Sequence, residues 1–112
     1  MKEILQRAIG ELGMFPEDIN NGYCDAFAAL VAEELTACDM FCADYDCDCD
    51  SDDRTRAHVW IRYEGKHYDA ECLEGVESFL DLPIFRDRKI VILKLVCNGE
   101  VLQWGKCPYS IW

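Results

Sequence analysis

No stretch of this sequence approaches the roughly 20 apolar residues that cross a bilayer. The opening MKEILQRAIGELGMF mixes charged with apolar residues where an export signal would carry an unbroken apolar core. A chain lacking both is expected to remain in the cytoplasm. Basic residues are scarce as well: 11 Lys and Arg stand against 22 Asp and Glu, a formal charge of -11. That imbalance argues against nucleic acid or a membrane surface as partner and makes a basic partner the easier electrostatic match. With 112 residues there is room for one packed core and not for two, so residues 1–112 are expected to form a single domain. No internal repeat is visible.

Cysteine is the exception to this scarcity. Eight occur, at positions 24, 38, 42, 47, 49, 72, 97 and 107. In a reducing compartment they are expected as thiols or metal ligands rather than disulfides.

Ile4, Leu5, Ala8, Ile9 and Leu12 recur at helical spacing ahead of Gly13, which predicts a short amphipathic helix over residues 3–12. Pro16, Asn20, Asn21 and Gly22 then mark an irregular connection. From Tyr23 onward, Phe27, Leu30, Val31, Leu35 and Cys38 repeat every three or four residues, predicting a second helix with Cys24 in its first turn. The run from Asp39 to Asp53 holds seven aspartates and no base. Like-charge repulsion and turn chemistry there predict a loop. Residues 56–71 alternate aromatic and β-branched positions around Glu64-Gly65, the pattern of a hairpin. KIVILKLVC and EVLQW flank Asn98-Gly99 and predict a second one, with CLEGVESFLDLPIF between the two as a turn or short helix. The expected fold is α+β: N-terminal helices, one bearing the cysteine at its N-terminus, packed on an antiparallel sheet of about four strands.

If Glu64 and Gly65 are the two loop residues of the first hairpin, Arg62 pairs with His67. His58, Trp60, Asp69 and Glu71 then project from one face. Asp69 becomes the diagonal neighbour of His58, near enough for a side-chain hydrogen bond, and Glu71, opposite His58, is the reserve candidate for the same role. A thiol in the first turn of a helix feels unpaired backbone N–H groups and the positive end of the macrodipole, and both favour thiolate. Cys24, His58 and Asp69 thus read as nucleophile, proton carrier and orienting acid. Helix-start N–H groups, with Asn20 or Asn21, are candidates to stabilise an oxyanion.

These residues resemble the transglutaminase-like branch of the papain-like cysteine-enzyme superfamily. The resemblance covers about residues 20 to 72. It rests on Gly22-Tyr23-Cys24-Asp25-Ala26-Phe27-Ala28, then Ala57-His58-Val59-Trp60, then His67-Tyr68-Asp69-Ala70, with nucleophile, histidine and aspartate 34 and 11 residues apart. It implies a cysteine at a helix N-terminus with histidine and aspartate on successive antiparallel strands. The implied activity is that of a small thiol hydrolase or acyltransferase, whether peptidase, deamidase or transglutaminase-like. Its substrate would be the amide of a protein or peptide, with basic character the easier electrostatic match, and it would need no cofactor.

Plainer roles compete at each position. Cys24 shares a stripe with Phe27, Val31 and Leu35 and would suit a core thiol. His67 reads as an exposed hairpin residue, Trp60 as a packing residue able to wall a cleft, and Trp104 and Trp112 as core or edge aromatics. Cys38, Cys42, Cys47 and Cys49 could surround zinc, although the paired C-x2-C knuckles of common zinc modules are missing. Alternating Asp44, Asp46, Asp48 and Asp50 suggest a calcium loop, but Cys49 stands where the turn glycine belongs and Thr55 where the bidentate glutamate belongs. A non-catalytic acidic binding or inhibitor protein on the same scaffold is the alternative function.

Overall fold

The computed structural model describes residues 1–35, 37–47, 56–86 and 90–108, excepting the side chains of residues 46, 47, 90 and 103–108. Three helices precede the sheet: α1 (Lys2–Leu12), the single turn α2 (Pro16–Ile19) and α3 (Cys24–Glu34). Six strands follow: β1 (Asp39–Cys47), β2 (Arg56–Tyr63), β3 (Lys66–Asp69), β4 (Cys72–Val76), β5 (Ile90–Cys97) and β6 (Glu100–Pro108). They form one antiparallel sheet in the order β4-β3-β2-β1-β5-β6. The fold is α+β as expected, with six strands where about four were expected. Among the described residues no helix is long and apolar enough to cross a membrane.

α1 and α3 form where the apolar spacing placed them, whereas Pro16–Ile19, expected within an irregular connection, coils into α2. Gly13 closes α1 in the left-handed conformation, its N–H bonded to the carbonyls of Ile9 and Gly10. α3 is shorter than its stripe suggested. The chain turns extended at Leu35, so Leu35 and Cys38 lie beyond the helix instead of on it. Leu5, Ala8, Ile19, Phe27, Ala28 and Val31 pack from the helices against Ile61, Tyr68 and Ala70 of the sheet region. A second core fills the other face, where Phe41, Ala43, Tyr45, Trp60, Ile92 and Leu95 meet Phe79, Leu82 and Phe85 of the segment after β4.

Two expectations are corrected here. Residues 39–47 of the acidic run form the central strand β1, not a loop. Phe41, Ala43 and Tyr45 are buried in alternation with the half-buried Met40, Cys42 and Asp44, the period of a strand. Like-charge repulsion is offset across the sheet: Arg62 donates to Asp39 at 2.6 and 3.0 Å, and Asp44 pairs in register with Lys94. Secondly, Cys72–Val76, expected within a turn or short helix, extends the sheet as β4; only Phe79–Asp81 coils into a 3-10 turn. Both hairpins form as expected, with Arg62 opposite His67, Tyr63 opposite Lys66, and Cys97 opposite Glu100. Asp48, Cys49, Asp50 and Thr55 lie outside the described residues, as do Trp112 and the side chains of Cys47 and Trp104.

Candidate active site

Cys24 is the first residue of α3. Gly22, at φ 139, makes the turn that delivers the chain to it, a backbone conformation that side-chain-bearing residues rarely adopt. The amides of a first turn have no intrahelical acceptor. Here Tyr23 N–H is taken by Ile19 and Ala26 N–H by the Asp25 carboxylate, while no capping side chain closes the turn. The cysteine is buried, with 8% of its surface open.

β2 carries His58 and β3 ends on Asp69, and the hairpin register sets them diagonally on one face. His58 Nε2 and Asp69 Oδ2 are 3.0 Å apart, both residues almost wholly buried. Asp69 Oδ1 accepts the backbone N–H of Glu71 at 2.9 Å, which fixes the carboxylate's orientation from its other side. His58 stacks on Trp60, ring centroids 5.7 Å apart, and meets the edge of Phe85. Its second nitrogen, Nδ1, is buried and has no hydrogen-bond partner. With Nε2 held by Asp69, Nδ1 is the nitrogen left for the thiol.

The electrostatics couple all three side chains. Burial alone would push the Cys24 thiol up, but its polar and charge interaction with His58, together with the Val59 backbone, leaves it below its ordinary value. Burial likewise opposes the charged form of His58, and Asp69 and Cys24 outweigh it, raising the imidazole above its usual value. Cys38, Cys42, Cys72 and Cys97 behave oppositely. Burial raises each, Asp39 adds to the rise for Cys38 and Cys97, and Asp44 does so for Cys42. Among the described cysteines, Cys24 is thus the one biased toward thiolate.

Glu71, the reserve candidate, is not placed against His58. It lies in the β3–β4 turn, and its carboxylate accepts the Asn20 amide at 2.9 Å instead of reaching His58. Asn20, a sequence candidate for oxyanion stabilisation, therefore has an Nδ2 hydrogen committed to Glu71. Asn21 is exposed. His67 is corrected too: it is buried, and its Nδ1 accepts the Trp60 indole N–H at 2.9 Å. Burial and the nearby Arg62 lower its pKa to about 4, so it is neutral at physiological pH. Trp60 is fully buried between Phe41 and Phe79 and walls no cleft. The sequence reading missed this indole–imidazole bond, although the period-two rule already set both residues on one face.

A cavity of about 600 Å³ opens between the α2–α3 connection, the start of β2 and the β3–β4 turn. Gly22 and Ala57, which line it, are close neighbours in sequence of Cys24 and His58. Among the described residues, no three His, Cys, Asp or Glu side chains converge to hold a metal ion.

Compared with protein-family models, with curated proteins and with solved structures, the chain matches none.

Proposed function

We propose that this protein is a small cysteine-dependent hydrolase or acyltransferase acting on an amide carbonyl, with Cys24 as nucleophile, His58 as proton carrier and Asp69 as orienting acid. The observation that carries the reading is the contrast among cysteines: Cys24 is held below the ordinary thiol range beside a buried His58–Asp69 pair, while four others are raised. Perturbed titratable groups beside a cleft are the usual mark of a reactive centre.

In the proposed mechanism the Cys24 thiolate attacks the amide carbon, forming a C–S bond and a tetrahedral oxyanion. First-turn N–H groups of α3 stabilise that charge. His58, protonated in the resting pair, gives its proton to the departing nitrogen as the C–N bond breaks, leaving an acyl-thioester and neutral imidazole. The imidazole then takes a proton from water or an incoming amine, whose attack on the thioester releases the acyl group and restores the pair. Asp69 keeps the ring in one orientation throughout and stabilises its charged form. The resemblance to transglutaminase-like enzymes frames this proposal, as do a protein or peptide substrate and a reducing, cytoplasmic setting for the free thiols.

The test is alkylation by limiting iodoacetamide near neutral pH, mapped by mass spectrometry on wild type and on His58→Ala. Cys24 is expected to label first, and at least about tenfold more slowly in the variant, the change that one pKa unit makes in thiolate fraction. An inert Cys24, with Cys38 or Cys42 labelling ahead of it, would reject the triad in favour of an acidic binding protein.

A further inference from the structure

Asn20, in the wall of the cavity lined by Gly22 and Ala57, carries an unanswered acceptor. Asn20 is 6% exposed and lines the cavity, yet its Oδ1 has no hydrogen-bond partner. The orientation of the amide is set by chemistry, since Nδ2 donates to Glu71 Oε1 at 2.9 Å and an oxygen in its place would face a carboxylate. A buried carbonyl oxygen left without a donor costs free energy comparable to a lost hydrogen bond. Whatever fills the cavity regains that energy if it brings an N–H to Oδ1.

The rest of the wall defines the charge such a donor should carry. Glu17, Asp18 and Glu71 contribute three carboxylates, and Arg56 contributes one positive charge. Glu71 lies directly against the Asn20 amide, so a donor reaching Oδ1 arrives beside a carboxylate. An N–H that is also cationic satisfies both, because hydrogen bonds between ionised partners are roughly twice as strong as neutral ones. The cavity's volume is in the range of small-ligand sites and exceeds what one amino-acid side chain needs.

We infer that this cavity is a binding site for a cationic side chain, a guanidinium or ammonium, with Asn20 Oδ1 and the Glu71 carboxylate as its acceptors. Asn20 is then a specificity-determining residue. The further step, that the cation belongs to the substrate whose amide Cys24 attacks, rests on the proposed function; the binding site itself does not.

The experiment compares N-acetylargininamide and N-acetyllysinamide with the neutral isostere N-acetylcitrullinamide, by titration calorimetry on the intact wild-type protein. Glu71→Gln and Asn20→Ala follow. Glu71 is exposed, so Glu71→Gln reads the contact without disturbing the core even if Asn20→Ala fails to fold. The expected result is at least one cationic probe binding about tenfold tighter than the citrulline compound, with the preference lost in Glu71→Gln. The bound probe is also expected to slow iodoacetamide labelling of Cys24, since Gly22, two residues before it, lines the cavity. Equal binding of charged and neutral probes, or a preference unchanged in Glu71→Gln, overturns the inference. Selective Cys24 labelling with no cation preference sinks the cavity alone; a cation preference with an inert Cys24 upholds the cavity and sinks the catalytic reading.

Discussion

Asp69 uses one carboxylate oxygen on His58 and the other on its own chain at Glu71, so the ring and the β3–β4 turn are tied through a single side chain. A buried ion pair of this kind is a poor source of net stability, because desolvation offsets most of the attraction. Its effect is better sought in the thiol. Replacing Asp69 with Asn keeps the volume and removes the charge that raises His58, and through His58 the thiolate of Cys24 loses its counter-ion. Followed against pH, wild-type Cys24 alkylation is expected to have its midpoint below the ordinary thiol value of 9.0. In Asp69→Asn that midpoint should rise, slowing labelling near neutral pH by about tenfold. The reactivity of Cys97, whose thiol is raised by burial and Asp39 with no part from Asp69, should stay within about twofold and serves as the internal control. An unmoved Cys24 midpoint would show that the carboxylate does not act on the thiol.

The position of Asp69 depends in turn on how closely β4 packs against β3. Gly75 sits at φ 80, and a Cβ there would come within 2.7 Å of two Tyr68 ring atoms and 3.1 Å of Lys66 Cβ. Gly75→Ala therefore combines a left-handed backbone with an overpacked ring, and each costs about 1 to 2 kcal/mol. A loss of about 2 to 3 kcal/mol in urea unfolding is expected. Slower Cys24 labelling should accompany it, because Tyr68 immediately precedes Asp69. How far such elements were legible in the sequence depended on the kind of signal. Glu64-Gly65 and Asn98-Gly99 fixed their registers locally, and the His58–Asp69 diagonal followed from period two alone. β1 escaped because its aspartates read as repulsion, while the charges that offset them, Arg62 and Lys94, come from strands far along the chain. Asn20 against Glu71 escaped for the same reason: a contact between two irregular segments 51 residues apart leaves no periodic trace.

Across the whole molecule the two histidines pull stability in opposite directions with pH. His58 has a folded pKa above its unfolded value. Its contribution is complete below about pH 6.5 and is lost as pH rises through the folded value. His67 is the reverse. It titrates near 4 in the fold and near 6.5 when unfolded, so between those values the unfolded chain binds the extra proton and stability falls as pH falls. Burial and the nearby Arg62 are the causes, and the Trp60 indole works in the same direction. Its N–H already points at Nδ1, and an imidazolium would set a second hydrogen against it at the centre of the aromatic core. Asp39, held low by its hydrogen bonds from Arg62 and Asn98, adds nothing to this window, since its loss begins only at more acid pH. Stability should therefore peak near pH 6.5 and drop by about 1.5 to 2 kcal/mol at pH 5, the figure that 1.36 kcal/mol per pH unit gives for one proton. His67→Gln keeps an acceptor for the indole but cannot titrate. In urea unfolding the variant should lose the acid-side slope while retaining the decline above pH 6.5. A variant as acid-sensitive as wild type would move the origin of that slope away from the Trp60–His67 pair and onto the carboxylates of this acidic surface.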